Sequence, residues 1–454
     1  MTTTELIQIP EEIQKSFNGK FLFPGDEGYD AARSLHNGMI DKRPAVIACC
    51  VTTADVRDAV NLGRDLGLEI SVRGCGHNVA GRAVTEGGLM IDVNPMKGVS
   101  VDPAAMTITA QPGVNWGQIN RASSVHGMAT PGGVVSTTGI AGLTLGGGLG
   151  WLQGRYGLAS DNLIGAELVT AEGDVLIVNE DTNPDLLWAL RGAGANFGVV
   201  TSLKYRAYPV TDIVGGMILH PYDDAAAVFD AYGRFIEPAP DELALQFGLM
   251  HDQDGVKLAA LVLCHSGDNL DDAELEVAPI REYGSPVLDD VKKMAYPGIN
   301  TLFDPSFPRG AQNYWKSAFL RELSPEVAKI MVDAYATVPS PLTLMLIEPV
   351  RGAAARVDPT ATAYPHRQHG YSVLIQAQWW DPAESEVNIA WTREVFDALR
   401  PYMLEASYVN YLSEDDGALT RDAYGPNVGR LRELKRQYDP TNLFHLNHNI
   451  DPAG

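Results

Sequence analysis

The sequence predicts an α+β protein in which strands outnumber helices and the second half contains an antiparallel sheet backed by helices. Two observations support this prediction, and a third marks an interruption of the pattern. From Arg43 onward, short apolar runs alternate with amphipathic segments. Between residues 211 and 400, longer apolar runs have helical segments between them, as in a sheet with helices on one face. A stretch at 130–158 carries ten glycines, more than a regular helix or strand tolerates.

Local signals define the elements of the first half. The apolar run 44–51 is predicted to be a buried strand, and Thr52 or Thr53 can cap a helix that ends at Gly67. The segments 68–74, 88–93, 98–102 and 106–113 are predicted strands, and 115–127 is a predicted helix. A hairpin over 166–178 is expected to turn at Glu172 and Gly173. A helix, a glycine turn and a strand then follow over 185–210.

Glycine becomes less frequent near Tyr208, which suggests a domain boundary. The predicted strands beyond it are 243–250, 255–263, 342–350 and 371–380, and the predicted helices are 225–235 and 388–399. The last fifty residues again differ in composition. We therefore expect three parts, at 1–210, 211–400 and 401–454.

Charge and cysteine usage limit the classes of partner. The chain has 57 acidic and 34 basic residues and a formal charge of -23, which disfavours nucleic acid and anionic membranes as partners. No cysteine spacing resembles a zinc site, and the four cysteines are expected to be reduced thiols. Neither a secretory signal nor a transmembrane segment is visible. These observations predict a cytoplasmic protein without a metal site.

Two segments have the character of a ligand site. The glycine-rich stretch, with Ser136 and its neighbouring threonines, offers backbone N–H groups and hydroxyls to an anion. It matches neither a phosphate-binding loop nor the dinucleotide fingerprint, and a glycine-rich surface loop is the alternative. The second segment, VRGCGHN, places His77 directly after a predicted strand. An ordinary loop histidine is the alternative there.

Five ordered motifs resemble those of one flavoprotein family. They are RGCGHN at 73–78, TPGGVVSTTGIAGLTLGGG at 130–148, GRYGLASDN at 154–162, LLWALRGAGANFGVV at 186–200 and YDPTNLFHLNHNI at 438–450. The sequence is similar, from about residue 40 to 451, to berberine-bridge-type oxidases of the vanillyl-alcohol-oxidase / p-cresol methylhydroxylase superfamily. The resemblance implies a two-part FAD-binding domain, a substrate domain and FAD as the cofactor.

Residue by residue, the resemblance implies that His77 is bonded to the 8α-methyl group of the flavin. Other residues would line the ring, the pyrophosphate, the ribityl chain and the adenosine. They are Arg73, Gly74, Cys75, Gly76, Asn78, Gly81, Pro131, Gly132, Val134, Thr137, Thr138, Gly139, Gly142, Tyr156, Gly157, Ser160, Asp161 and Val200. Asn447 and Asn449 would reach the flavin edge or the substrate, with a capping or turn role as the alternative.

One departure from the family pattern concerns a second covalent link. Many members carry a cysteine that forms it, and Val135 occupies that position here. Valine cannot form a thioether, so a single histidyl link is expected, as in the 6-hydroxy-D-nicotine-oxidase-like members. Thr138 occupies the position that controls oxygen access in the family, and a small residue there favours an oxidase.

The catalytic residues are less clear from the sequence. The position at which plant relatives have a glutamate or glutamine is Leu374. Alternation places Gln376 on the same strand face, where its amide can bind substrate or simply belong to the sheet. Tyr408, Asn410 and Tyr411 are the further candidates. A tyrosine is the expected base, which requires that its pKa be lowered.

Three functions remain open at this point. The first is an oxidase that takes a hydride from an alcohol, amine, sugar or biosynthetic intermediate and passes electrons to molecular oxygen. The second is a dehydrogenase of the same fold with another acceptor. The third is a flavin- or small-molecule-binding protein without turnover, which the missing glutamate at position 374 permits. The oligomeric state is open.

Overall fold

The computed structural model describes residues 7–368, 370–416 and 423–453. Within these residues the strands form three main sheets and one two-stranded ribbon. The first two sheets and the glycine-rich segment come from the N-terminal half, and the third sheet follows them in the chain. The α+β fold predicted from the sequence is confirmed.

The first sheet has the order β1-β2-β4-β3, with β2, β4 and β3 parallel and β1 antiparallel. Its strands and helices are β1 (Lys20–Leu22), β2 (Val46–Cys49), β3 (Ile70–Arg73), β4 (Leu89–Asp92), α1 (Glu11–Ser16), α2 (Tyr29–Arg33) and α3 (Thr53–Asp65). Thr52 caps α3 in a reciprocal capping box with Asp55, which confirms the predicted start of this helix. The chain leaves β3 directly into the turn that carries His77.

The second sheet is antiparallel and has the order β5-β6-β10-β8-β9. This region contains β5 (Val99–Asp102), β6 (Thr107–Ala110), β7 (Met128–Ala129), β8 (Leu163–Val169), β9 (Val175–Asn179), β10 (Val199–Arg206), β11 (Tyr208–Pro209), α4 (Trp116–Ser124), α5 (Ile140–Leu145), α6 (Gln153–Tyr156) and α7 (Pro184–Ala193). The predicted hairpin is β8 and β9, with Gly173 at φ +83° in its turn.

The glycine-rich segment is less irregular than expected, because it contains the short helices α5 and α6. Between them, Gly147 and Gly148 adopt φ values of +125° and +92°, which a side chain would strain. Glycine is thus needed at the connection between the two helices, whereas each helix is only one or two turns long.

The third sheet has the order β15-β12-β14-β13-β18-β19-β17, and β16 also pairs with β12. Its region contains β12 (Asp212–Pro221), β13 (Leu243–His251), β14 (Lys257–His265), β15 (Leu288–Asp289), β16 (Lys292–Ala295), β17 (Gln312–Leu320), β18 (Leu344–Val350), β19 (Gly370–Trp379), α8 (Ala225–Ile236), α9 (Leu270–Arg281), α10 (Tyr296–Ile299), α11 (Pro325–Ala336), α12 (Gly352–Arg356) and α13 (Ser385–Leu399). The sheet is antiparallel, as predicted, although the sequence analysis did not identify β12 or β17.

The two faces of the third sheet have different partners. One face shares a hydrophobic core with α8, α9, α11 and α13. On the other face, Val262 and Met217 pack with Val135 and Trp151 of the glycine-rich segment. The first half of the chain therefore covers the face of the sheet that the helices leave free.

The C-terminal segment returns to the first half of the chain. Leu431 of α14 (Val428–Tyr438) and Ile450 belong to the same hydrophobic core as Leu186 of α7. The buried Lys435 ammonium pairs with Asp439 at 2.7 Å and donates to the carbonyl oxygen of Phe444. In the described part of the chain, no helix has the length and apolar character needed to cross a membrane.

Candidate cofactor and substrate site

A cavity of about 300 Å³ lies where the first half of the chain, the third sheet and the C-terminal segment meet. Many of the residues selected from the sequence line it: Gly74, Cys75, Gly76, His77, Asn78, Val134, Thr138, Gly139, Gly142, Val200, Tyr408, Asn410, Tyr411 and Asn447. Val135 and Leu374 line it too. The structure thus brings together residues that are almost 400 positions apart in the sequence.

The remaining selected residues lie outside the cavity lining: Arg73, Gly81, Pro131, Gly132, Thr137, Tyr156, Gly157, Ser160, Asp161, Gln376 and Asn449. Several of them have evident packing roles. A side chain at Gly132 would collide with the ring of Trp116, and one at Gly81 would collide with Ile40. The ring of Tyr156 stacks on Tyr208 with centroids 3.8 Å apart.

Two charged residues selected as cofactor ligands form buried ion pairs within the protein. Arg73 lies 3.0 Å from Asp92, which joins the carboxyl ends of neighbouring strands β3 and β4. Asp161 accepts two hydrogen bonds from the Arg367 guanidinium, at 2.6 and 2.8 Å, and one from the backbone of Leu158. Each of these charges is thereby paired within the protein, and the direct roles in nucleotide binding stay predictions.

His77 lies on the cavity wall, at the turn that follows β3. Its ring stacks on that of His36, with centroids 4.4 Å apart and planes 19° from parallel. Burial, and then the charges of His36 and Arg309, lower the pKa of His77 to about 3. The imidazole is therefore neutral at pH 7 and retains a nitrogen lone pair for bonding.

The glycines around His77 leave room for a flat group. A Cβ built on Gly142 meets no atom within 4 Å, so the wall of the cavity is bare backbone at that point. Gly139 is different, because a Cβ there would lie 3.0 Å from the Cβ of Cys75. Glycine at 139 thus permits close packing of the glycine-rich segment on the His77 turn, whereas glycine at 142 opens space for a ligand.

The C-terminal segment contributes polar groups to the same cavity. Asn447 donates to the carbonyl oxygen of Ala195, while its own Oδ1 is buried and has no partner. Arg82 donates to the carbonyl oxygen of Asn447. These buried donors and acceptors, together with the bare glycine wall and the neutral His77, suit a polar, planar cofactor such as FAD.

On the other side of the cavity, Glu348 of β18 is fully buried and accepts a hydrogen bond from the Tyr411 hydroxyl at 2.9 Å. Burial raises the pKa of Glu348 to about 7, although the hydrogen bond from Tyr411 acts in the opposite direction. The carboxyl group thus changes protonation state near neutral pH. Such a group can accept a proton from a substrate and release it again.

Tyr408 and Tyr411 do not have the lowered pKa that a tyrosine needs to act as a base. The Tyr408 hydroxyl is close to the backbone N–H groups of Gly148 and Leu149, at 2.9 and 3.3 Å, and to the Asn410 amide at 2.8 Å. Burial nevertheless raises the pKa of Tyr408 to about 12, and that of Tyr411 is well above its ordinary value. Neither tyrosine therefore has the lowered pKa that a tyrosine base needs, whereas the pKa of the Glu348 carboxyl group lies near neutrality.

Aromatic and aliphatic side chains surround Glu348. The ring of Trp315 lies edge-on to Tyr411 and to Phe307, with centroids 6.1 and 6.3 Å apart. Leu346 and Leu374 complete this wall. Gln376 is paired with Trp315 across β17 and β19 and is fully buried, and neither polar atom of its amide has a partner.

The sequence analysis missed Glu348, Phe307, Trp315, Arg82 and His448, all of which line the cavity. One signal for Glu348 was available, since LTLMLIEPV is an apolar strand interrupted by a single acidic residue. For the others no local pattern distinguishes a cavity wall from an ordinary core.

Comparison with protein families gives two matches. Residues 44–179 match the family described as "FAD binding domain", and residues 407–451 match "Berberine and berberine like". The first covers the His77 turn and the glycine-rich segment. The second covers the C-terminal residues of the cavity.

Individual relatives match along nearly the whole chain. The (R)-6-hydroxynicotine oxidase of Paenarthrobacter nicotinovorans is 32% identical over 457 residues, which cover 97% of this chain and 98% of that protein. An FAD-linked oxidoreductase of Dictyostelium discoideum is 29% identical over 451 residues, covering 98% and 97%.

Solved structures show the same fold. The crystal structure of 6-hydroxy-D-nicotine oxidase from Arthrobacter nicotinovorans has a TM-score of 0.89 and 30% identity, covering 98% of this chain and 100% of that one. The xylooligosaccharide oxidase of Myceliophthora thermophila has a TM-score of 0.85 and 24% identity, covering 98% and 99%. At that identity the second similarity concerns the fold alone.

Proposed function

Because this chain belongs to the berberine-type family of FAD-linked oxidoreductases, we propose that it is an oxidase that holds one FAD covalently through His77. Its substrate is a small organic molecule with a C–H bond next to a nitrogen or a hydroxyl group. The single observation that carries the proposal is the position of His77. A neutral imidazole lines the same cavity as a buried carboxyl group whose pKa is about 7.

The attachment is through one residue. Val135, at the position of the second link in other members, lines the cavity with an aliphatic side chain that forms no such bond. Cys75 also lines it, but burial raises the pKa of its thiol, which keeps the thiol protonated and unreactive. His77 is thus the residue whose lone pair is available for bonding.

When bound, FAD would supply a two-electron acceptor for a hydride from the substrate. The protein's own residues would orient the substrate and manage its proton. Glu348 accepts the proton from the substrate heteroatom, and Tyr411 holds the carboxylate in one orientation. Asn410 and Tyr408 fix the neighbouring backbone rather than act as bases.

The wall around Glu348 favours an aromatic or otherwise apolar amine over a sugar. Trp315, Phe307, Leu346 and Leu374 offer large apolar surfaces, and a protonated amine is attracted both to Glu348 and to aromatic faces. The name of the nicotine-oxidising relative is consistent with a substrate of this kind. An alcohol is the second candidate, because a carboxylate base serves it equally well.

Dioxygen is proposed as the electron acceptor, with hydrogen peroxide as product. The relative that is 32% identical over nearly the whole chain is named an oxidase, which supports this acceptor. Thr138, at the position that controls oxygen access in the family, lines the cavity with a small side chain. A cytoplasmic location is part of the same proposal and agrees with the four free cysteines of the described chain.

The test begins with acid precipitation of the purified wild-type chain and of the His77→Ala variant. Flavin absorbance that stays with the wild-type pellet, and moves to the supernatant for His77→Ala, is the expected result. Flavin released by acid from both proteins would refute the covalent link but not flavin binding. A wild-type chain that remains colourless after incubation with FAD would refute the proposal as a whole.

Amines and alcohols are then supplied to the flavin-loaded protein with and without air. Peroxide formation that requires air is expected. Bleaching that persists in air and is reversed only by an artificial acceptor would indicate a dehydrogenase. The absence of bleaching with any substrate of either class would indicate a flavin-binding protein without turnover.

A further inference from the structure

His36 is a buried histidine to which the proposed reaction assigns no role. It is 5% exposed, and its Nε2 atom has no hydrogen-bond partner. Its ring is stacked on that of His77, the proposed attachment residue. A buried ring nitrogen without a partner costs free energy, so the position of this ring beside His77 requires an explanation.

The backbone holds His36 in place from two sides. Its N–H donates to the carbonyl oxygen of Gly76 at 2.8 Å, and its carbonyl oxygen accepts from the N–H of Gly310 at 2.9 Å. The first bond fixes His36 to the turn that carries His77. The second fixes it to the loop that leads into β17 of the third sheet.

The neighbouring residue strengthens this connection. The Asn37 amide donates to the carbonyl oxygens of Val79 and Asn313, at 2.8 and 2.9 Å, and its Oδ1 accepts from the N–H of Asn313. Segment 36–37 therefore joins the His77 turn to β17 through backbone and amide hydrogen bonds. The backbone that carries the His36 ring is thus held by both parts of the protein.

The charges around the stack favour two neutral rings. Arg309 donates to the carbonyl oxygen of Ser34 at 2.7 Å, and its positive charge lowers the pKa of both histidines. Burial is the larger cause, and it lowers the pKa of His36 to about 4. Parallel rings cannot donate hydrogen bonds to each other in their planes, so the stack orients His77 without occupying its ring nitrogens.

We propose that His36 is a positioning residue for flavin attachment, which holds the His77 imidazole by ring stacking while a bond forms from its nitrogen to the 8α carbon. The inference rests on the covalent link proposed above. In this reaction one C–H bond of the methyl group and one N–H bond of the imidazole are lost, and one C–N bond forms. The two protons and two electrons go to dioxygen, which leaves as hydrogen peroxide.

The experiment follows the formation of the bond, not turnover of substrate. The full-length wild-type chain and the variants His36→Ala, His36→Phe and His126→Ala are prepared from riboflavin-limited cells and mixed with FAD. His126 is exposed and outside the cavity lining, which makes His126→Ala the matched control. Samples are quenched in acid at intervals, and flavin in the pellet is measured against flavin in the supernatant.

We expect His36→Ala to form acid-stable flavin about tenfold more slowly than wild type, because the ring that orients His77 is gone. His36→Phe keeps an aromatic ring and should restore most of the rate, and His126→Ala should match wild type. Non-covalent binding of FAD, measured by flavin fluorescence, is expected to persist in His36→Ala. Persistent binding would show that the site is folded in this variant.

Two results would overturn the inference while the covalent link stands. In one, His36→Ala incorporates flavin at the wild-type rate. In the other, His36→Phe is as slow as His36→Ala, which would assign the effect to the ring nitrogen instead of the stack. A wild-type chain that never forms acid-stable flavin would overturn both the covalent link and this inference.

Discussion

The hydroxyl of Tyr411 lies 2.9 Å from Oε2 of Glu348, and both side chains face the cavity that also contains His77. Burial raises the pKa of both groups, but the carboxyl group titrates near neutrality and the phenol far above it. Tyr411 therefore remains a hydrogen-bond donor at the pH at which Glu348 gains or loses its proton. In this pair only the Glu348 carboxyl group gains or loses a proton near neutral pH, and the Tyr411 hydroxyl donates a hydrogen bond to it.

The Glu348→Gln variant tests the proposed base. An amide keeps the shape of the side chain but cannot accept the proton, so we expect kcat/KM to fall by about 10²-fold or more with flavin content unchanged. In the wild type, kcat/KM should rise as the pH increases through about 7, because the deprotonated carboxylate is the active form. Initial rates of peroxide formation measure both effects. Glu394→Gln, on the exposed surface of α13, is the control, and equal losses in both variants would exclude Glu348 as the base.

The Tyr411→Phe variant tests the hydrogen bond to Glu348. The bond lowers the carboxyl pKa, so its removal should shift the rise of kcat/KM to a higher pH than in wild type. Rates measured at a series of pH values give this midpoint. A midpoint that stays in place, or moves to lower pH, would show that Tyr411 does not tune Glu348.

Protein stability should also depend on the ionisation of Glu348. Folding raises the pKa of this carboxyl group from 4.5 to about 7. Its contribution to the free energy of unfolding is therefore fully present below about pH 4.5 and is lost as the pH rises through 7. Relative to Glu348→Gln, the flavin-free wild type should lose on the order of 3 kcal/mol of unfolding free energy between these limits. Urea unfolding of both proteins at pH 5 and pH 8 measures most of this change. An equal difference between the two proteins at both pH values would contradict the buried, titrating carboxyl group.

The Gly142→Leu variant tests the open wall of the cavity. The position of its Cβ is free of neighbours, so the chain should fold, while the larger side chain should occupy the space proposed for the flavin. We expect flavin content to fall at least tenfold, with the circular dichroism spectrum unchanged. Gly429→Leu, on the exposed side of α14 where a Cβ also meets nothing, should keep its flavin. A fully loaded Gly142→Leu protein would place the flavin elsewhere.

The sequence predicted the fold and the cofactor well, because both leave local signals. The five motifs identified the family, and the relatives confirm that assignment. Capping by Thr52 and the β8–β9 hairpin depend on residues a few positions apart, and both were predicted correctly.

The catalytic side of the cavity was harder to predict because it depends on distant contacts. Glu348 acquires its raised pKa from burial, and its partner Tyr411 is 63 positions away in the chain. Arg73 and Asp161 were assigned to the cofactor from the family motifs, and the sequence could not reveal that each also has an ion-pair partner within the protein. A buried ion pair and a ligand contact use the same residue types, and only tertiary structure distinguishes them.

The buried Lys435 ammonium donates a hydrogen bond to the carbonyl oxygen of Phe444. The segment that begins at Phe444 includes Asn447 and His448, the last residues in the sequence that line the cavity. Every other part of the wall is synthesised before them. During translation, the cavity therefore lacks one side until this stretch has emerged from the ribosome. If FAD is held as proposed, its stable enclosure and the proposed bond to His77 accordingly follow synthesis of the chain. A nascent protein stalled before residue 440 should release its flavin in acid.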